Sequence, residues 1–208
     1  MKSAATISRN AWPISDQIPF SYHLTDSVIT NKNGEFFSVI KMDGRSHQTM
    51  SKEDVVRWTQ ELNMTLKSQC SDKIELYSYV VRRKEESYPD SFFKNVFACE
   101  FNDKYKDLFS GGKLYVNELY LCILYRPFSN AIISGMAKKS KMTTEEIERW
   151  QKESTNVVNS VCESFLKSLK YYRCELLKAE ERNGYLYSKP IEFFTYIANG
   201  EWSPVPIS

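Results

Sequence analysis

The sequence predicts an α+β fold of the ferredoxin-like, split βαβ kind, and three observations predict it. An Asn33-Gly34 turn between β-branched and aromatic residues marks an N-terminal hairpin. Once a helical stretch at 88–110 is set aside as an insertion, strand–helix–strand occurs twice along the chain. The second of those helices is long and carries one sustained apolar stripe. The prediction is thus one sheet with an N-terminal hairpin, an inserted helix and a long C-terminal helix. Two helices are expected on one sheet face and the inserted helix on the other.

Residues 1–19, polar and turn-rich with Pro13 and Pro19, read as an N-terminal arm, and 20–200 as a single domain. "VITNKNGEFFSVIKMDG" (28–44) is the hairpin, its second strand ending at Asp43-Gly44. Ser51, with acidic residues in the next turn, signals a helix N-cap. Val55, Trp58, Leu62 and Leu66 then share one helical face. "KIELYSYVVRR" (73–83) has the composition and alternation of a strand. Pro89-Asp90 is expected to open the inserted helix, and Gly111-Gly112 to stop it.

"KLYVNELYLCILYRP" (113–127) is apolar on both faces, as a central strand covered on both sides should be. Residues 128–141 read as a connector with a small basic cluster. Thr143 or Thr144 caps the long helix, with Ile147, Trp150, Val157, Val161, Phe165 and Leu169 as its stripe. The stretch 173–188 either continues that helix or forms strands about an Asn183-Gly184 turn. The strand reading is preferred because the stripe weakens after Tyr172. Pro190 opens a last helix that Gly200 closes.

Composition sets outer bounds on function. A 42% hydrophobic, 26% charged chain of 208 residues can bury a core without staples. Its net charge of +2 points to neither a nucleic-acid nor a membrane partner as a whole. Five scattered cysteines, none in a CxxC pair, fit reduced thiols in a cytoplasmic protein. No apolar run approaches the ~20 residues a membrane helix needs.

Catalytic signatures are missing, so no catalytic, cofactor-binding or metal-binding residue is predicted. "SGGKLY" (110–115) is the nearest approach to a phosphate loop, but position 107 is Asp and Lys113 is followed by Leu114. His23 and His47, the two histidines, lack helical i, i+4 partners for a metal. Asn117 and Glu118 interrupt the central strand; the expectation is a structural hydrogen bond to a neighbouring loop, or a pairing of Glu118 with Arg126 or Arg82. "LYSYVVRRK" interleaves Tyr77 and Tyr79 with Arg82, Arg83 and Lys84, so a nucleic-acid-binding module on a ferredoxin-like sheet stands as the alternative function. Against it, the glycine–aromatic signature of base-stacking sheets is missing and Glu85-Glu86 offsets the local charge.

Four segments together resemble one family. "IPFSYHLTDSVITNKNGEFFSVIKMDG", "YSYVVRRK", "LYVNELYLCILYRPF" and "YSKPIEFFTYIANGEWSPVPIS" occur in the order seen in the type IV secretion and conjugation ATPases of the CagE/TrbE/VirB group, VirB-four type. The resemblance covers about residues 18–208 and implies the amino-terminal domain of such an ATPase. On that resemblance, residues 201–208 begin a linker to an absent C-terminal ATPase domain, and ATP and Mg belong to that domain. It further implies a location at the cytoplasmic face of the bacterial inner membrane. The implied partners are other secretion subunits including small inner-membrane proteins, the chain's own motor, and further copies in a homo-oligomer. Docking residues are expected among the aromatic and apolar side chains of two segments: Phe193, Phe194, Tyr196 and Trp202 near the end, and Ile132 and Ile133 in the connector.

Overall fold

A computed structural model describes residues 19–46, 48, 50–69, 71–85, 88, 91–109, 114–127 and 143–207. In chain order these form β1 (Phe20–His23), β2 (Ile29–Asn31), β3 (Phe36–Met42), α1 (Lys52–Ser68), β4 (Ile74–Glu85), α2 (Val96–Phe109), β5 (Leu114–Tyr125), α3 (Thr144–Ser168), β6 (Cys174–Leu176), β7 (Ala179–Arg182), β8 (Tyr185–Ser188) and α4 (Lys189–Asn199). The fold is mixed, an antiparallel sheet with four α-helices among the described residues.

Local chemistry accounts for most boundaries. Gly34 takes φ +73° in the β2–β3 turn, where the Asn31 side chain accepts from the Asn33 and Glu35 amides. A Cβ at Gly34 would sit 3.2 Å from the Trp150 ring, so close approach adds to the conformational demand. Ser51 accepts from the Asp54 amide at the start of α1, and Thr143 with Glu146 forms a full capping box on α3. The stretch 173–188 is strand, not helix. Arg173 adopts φ +50°, breaking the helical path, and Asn183 and Gly184 both take positive φ in a two-residue hairpin turn. The inserted helix starts later than predicted: residues 91–95 are not helical, and Asn95 caps Val96–Phe109 by accepting from the Phe97 amide. Pro89-Asp90, Gly111-Gly112 and the 128–141 connector lie outside the described residues.

The main sheet runs β1-β2-β3-β5-β4, every pair antiparallel. β6 also pairs with β3, taking Ile40–Met42 while β2 takes Phe36 and Phe37. Alternation then divides the core in two. On one face Phe36, Ile40, Leu121 and Ile123 meet Val158, Val161, Cys162 and Phe165 of α3, with Leu62 and Leu66 of α1 alongside. On the other, Ile29, Phe37, Val39, Tyr120 and Cys122 meet Phe193 of α4. Each such fully buried side chain contributes roughly 1.5–3 kcal/mol. Within α3 the fully buried valine is Val158 and not Val157, and Ile147, in the first turn, is exposed.

The expected cover for the second face is therefore corrected. α4 covers it, and no described α2 side chain belongs to either core cluster. The register explains this. β5 pairs with β3 only from Leu119 onward, so Val81–Glu85 and Leu114–Glu118 pair with each other alone. This two-stranded ribbon extends past the end of β3 and carries α2 as a spur.

Candidate partner-docking site

Aromatic and apolar side chains group in two surface regions, one at the end of α4 and one on the spur. At α4, Ser188 is buried and caps the helix by accepting from the Ile191 amide. Its hydroxyl also donates to Nε2 of His23 at 2.7 Å, while Nδ1 of His23 donates to the Thr25 carbonyl at 3.1 Å. Both ring nitrogens are thus committed in a neutral tautomer, and burial holds the His23 pKa below its ordinary 6.5. Phe193 is then aimed inward, stacked on Tyr120 at 4.2 Å between ring centroids and edge-on to Tyr79 at 5.5 Å. Phe194, half-buried, lies against Phe20 and Phe37.

One turn on, Tyr196 stacks parallel to Trp202, with centroids 4.8 Å apart and planes at 7°. Trp202 keeps 46% of its surface exposed. It borders a cavity of about 230 Å³ lined by Lys41, Glu175, Arg182, Lys189 and Glu192. Charges there are paired. Glu192 accepts from both terminal nitrogens of Arg182 at 3.0 and 3.2 Å, and from the Val205 amide at 3.3 Å. The segment around Val205–Ile207 lies along β8 through Ser188 N to Val205 O and Ile207 N to Leu186 O.

Beside this region stands Glu118, buried at the base of the ribbon. It accepts from Lys41 and Arg83, each at 3.2 Å, and from the Tyr120 hydroxyl at 2.9 Å. Burial alone would raise its pKa; the Tyr120, Lys41 and Arg83 donors outweigh burial and hold it below the usual carboxylate range. The predicted partners were different, and strand geometry says why. Val81 is opposite Glu118 and Arg82 opposite Asn117, so the pleat sends Arg82 to the other face, where it lies over Tyr115 at 4.4 Å. Arg126 is eight residues along the strand, roughly 26 Å away at about 3.3 Å per residue, and pairs with Glu35 and Glu75. Asn117 is exposed on the ribbon.

The spur is the second region. Phe97, Phe101 and Tyr105 stack in succession along α2, each pair of centroids 6.3 Å apart, and Leu108 continues the row. Phe97 is 72% exposed, and Phe101 and Leu108 are each 61% exposed. The i, i+4 spacing was present in the sequence; sequence reasoning spent it on covering the sheet and so missed these residues. Ile132 and Ile133 lie outside the described residues. Phe193, named as a docking residue from sequence, is fully enclosed and Phe194 and Tyr196 are half-buried, which leaves Trp202 as the exposed member of that set among the described residues.

Burial pushes the Cys122 and Cys162 thiols up to about 12, so neither is a thiolate at neutral pH. Among the described residues no three His, Cys, Asp or Glu side chains gather as a metal site. No helix among them is long and apolar enough to cross a membrane.

Fold and surfaces together define an antiparallel α+β domain whose apolar side chains extend beyond its own core. Residues 27–132 match the family described as "Type IV secretion system ATPase VirB4/TrbE, N-terminal domain", which is just over half of this chain, and the chain belongs to that family. Similar proteins include "Type IV secretion system protein virB4" of Brucella melitensis biotype 1, 28% identical over 197 residues, covering 91% of this chain and 24% of the relative. The virB4 protein of Bartonella henselae is 26% identical over 199 residues, covering 93% and 25%. "Type IV secretion system protein PtlC" of Bordetella pertussis is 23% identical over 210 residues, covering 98% and 25%. The chain spans about a quarter of the length of these curated relatives.

Proposed function

We propose that this chain is a non-catalytic docking domain of a type IV secretion ATPase, holding the motor to small inner-membrane secretion subunits and to neighbouring copies. The observation that carries this reading is aromatic surface standing outside a core that is complete without it, on the spur and at Tyr196–Trp202. ATP and Mg are assigned to a C-terminal domain of the longer protein, which would hydrolyse ATP to power assembly and transport. The working location is peripheral, at the cytoplasmic face of the inner membrane. The strand order β6-β3-β5-β4, with α1 and α3 as the two crossovers, supports a ferredoxin-like reading of the sheet.

Base stacking on this sheet is the weaker alternative. The face bearing Tyr79 is covered by α4, and Tyr79 itself is packed edge-on to Phe193.

The test is capture of small inner-membrane subunits of the same secretion machine, co-expressed and extracted in detergent with the tagged chain. Capture by the wild-type chain, falling about tenfold in Trp202→Glu, is the expected result for an exposed aromatic anchor. Equal capture by both removes Trp202 from the site, and no capture by the wild type overturns the docking reading.

A further inference from the structure

We propose that the exposed face of α2 pairs with α2 of a second copy of this chain, antiparallel about a two-fold axis near Phe101. The inference rests on the docking reading and assigns the spur to a like partner.

The face is built for contact. At 3.6 residues per turn, Phe97, Phe101, Tyr105 and Leu108 fall within an arc of about 80°. An isolated helix of this length is marginal in water, because tertiary burial supplies most helical stability. Among its described side chains α2 (14 residues) gives none to either core cluster, yet sets its large apolar groups Phe97, Phe101, Tyr105 and Leu108 in one row. That combination calls for a cover from outside the domain.

Charge identifies the cover. Residues 91–109 carry Lys94, Lys104 and Lys106 against Glu100, Asp103 and Asp107, so the segment is neutral. A helix that lies on an anionic bilayer needs a basic polar face, and this one lacks it. A second copy, by contrast, fits. Glu100 and Lys104 stand along the same border of the aromatic row, one turn apart. In an antiparallel pair centred near Phe101, Lys104 of the second copy falls beside Glu100, and its Glu100 beside Lys104. Phe97 then faces the second copy's Tyr105, and Phe101 meets its own counterpart. A parallel pair would put the Glu100–Lys104 borders of the two copies on opposite sides of the seam, where they could not pair. The surface is therefore self-complementary in the one orientation a two-fold dimer of this kind requires.

Sedimentation equilibrium of the purified 208-residue chain, without any other subunit, tests this. A reversible monomer–dimer equilibrium is expected. Phe101→Glu should weaken it at least about tenfold, while the circular dichroism spectrum and urea midpoint stay at wild-type values. Glu100→Lys and Lys104→Glu should each weaken association several-fold, and the double reversal should restore it. A chain that stays monomeric throughout overturns the proposal, as does a dimer indifferent to Phe101→Glu or a double reversal no tighter than the singles. Co-sedimentation of a monomeric chain with phosphatidylglycerol vesicles, lost in Phe101→Glu, would give the face to lipid and equally overturn it. Capture of membrane subunits by Phe101→Glu at the wild-type level would separate this question from the docking reading itself.

Discussion

α2 and α4 are two short helices of similar aromatic content with opposite fates. α4 places Phe193 and Phe194 into a sheet face prepared for them by Tyr120, Tyr79, Phe37 and Phe20. α2 stacks Phe97, Phe101 and Tyr105 on one another and leaves them open to solvent. The helices differ less in themselves than in what receives them. α4 follows directly on β8 through a buried cap, whereas α2 is borne on a ribbon that has already passed the end of β3. An apolar helical face states that something will cover it; the connections decide whether that is the same domain.

The sharpest way to break this contrast is truncation. Phe193→Ala should cost about 3–5 kcal/mol in urea unfolding, the range for a buried phenylalanine. Phe101→Ala should stay within about 0.5 kcal/mol, measured on dilute monomer. Similar losses in both would make the spur part of the core.

Next in size is the ion pair that anchors the α4 side. Arg182→Ala leaves the Glu192 carboxylate buried with the Val205 amide as its remaining described donor. A loss of about 2 kcal/mol is expected, less than for a fully buried pair because Arg182 is more than a third exposed. No change in the unfolding midpoint would mean that Glu192 is not held there by charge.

The two helix caps extend the same comparison at smaller scale. Ser188→Ala should lower global stability by about 1 kcal/mol or somewhat more, since it removes a cap and the His23 donor together. Asn95→Ala should leave the global midpoint unchanged and instead speed amide exchange within α2. A global loss from Asn95→Ala would count against a separable spur.

The smallest effect is a pH dependence confined to the α4 side. His23 has a folded pKa below its ordinary 6.5, so the unfolded chain binds more protons once pH falls below that value. Stability is complete above about pH 7 and should decline as pH drops from there through 6.5 toward the folded pKa. The slope cannot exceed roughly 1.4 kcal/mol per pH unit for one proton. His23→Gln should flatten it, and an unchanged slope in that variant would assign the titration elsewhere.

Much of the fold was legible because its signals are local. Asn33-Gly34, Asn183-Gly184, Ser51, Thr143 and Gly200 each announce a turn or cap that side-chain chemistry dictates within a few residues. The site was less legible. Phe193 and Phe97 look alike in sequence, and only the β3–β5 register, a long-range property, tells which helix finds a sheet beneath it. Glu118 was rightly expected to need a partner. Its choice of Arg83 over Arg82 depends on strand pairing that residue types alone do not encode.

Native-state hydrogen exchange, followed by peptide as chain concentration is raised, tests the central claim most directly. At the lowest concentration α2 amides should exchange through local opening, far faster than those of α4, and gain protection as copies pair. The α4 amides should exchange only on global unfolding, at every concentration. Protection of α2 equal to that of α4 in the dilute monomer would contradict the account, because the spur would then belong to the core and have no face to offer a partner.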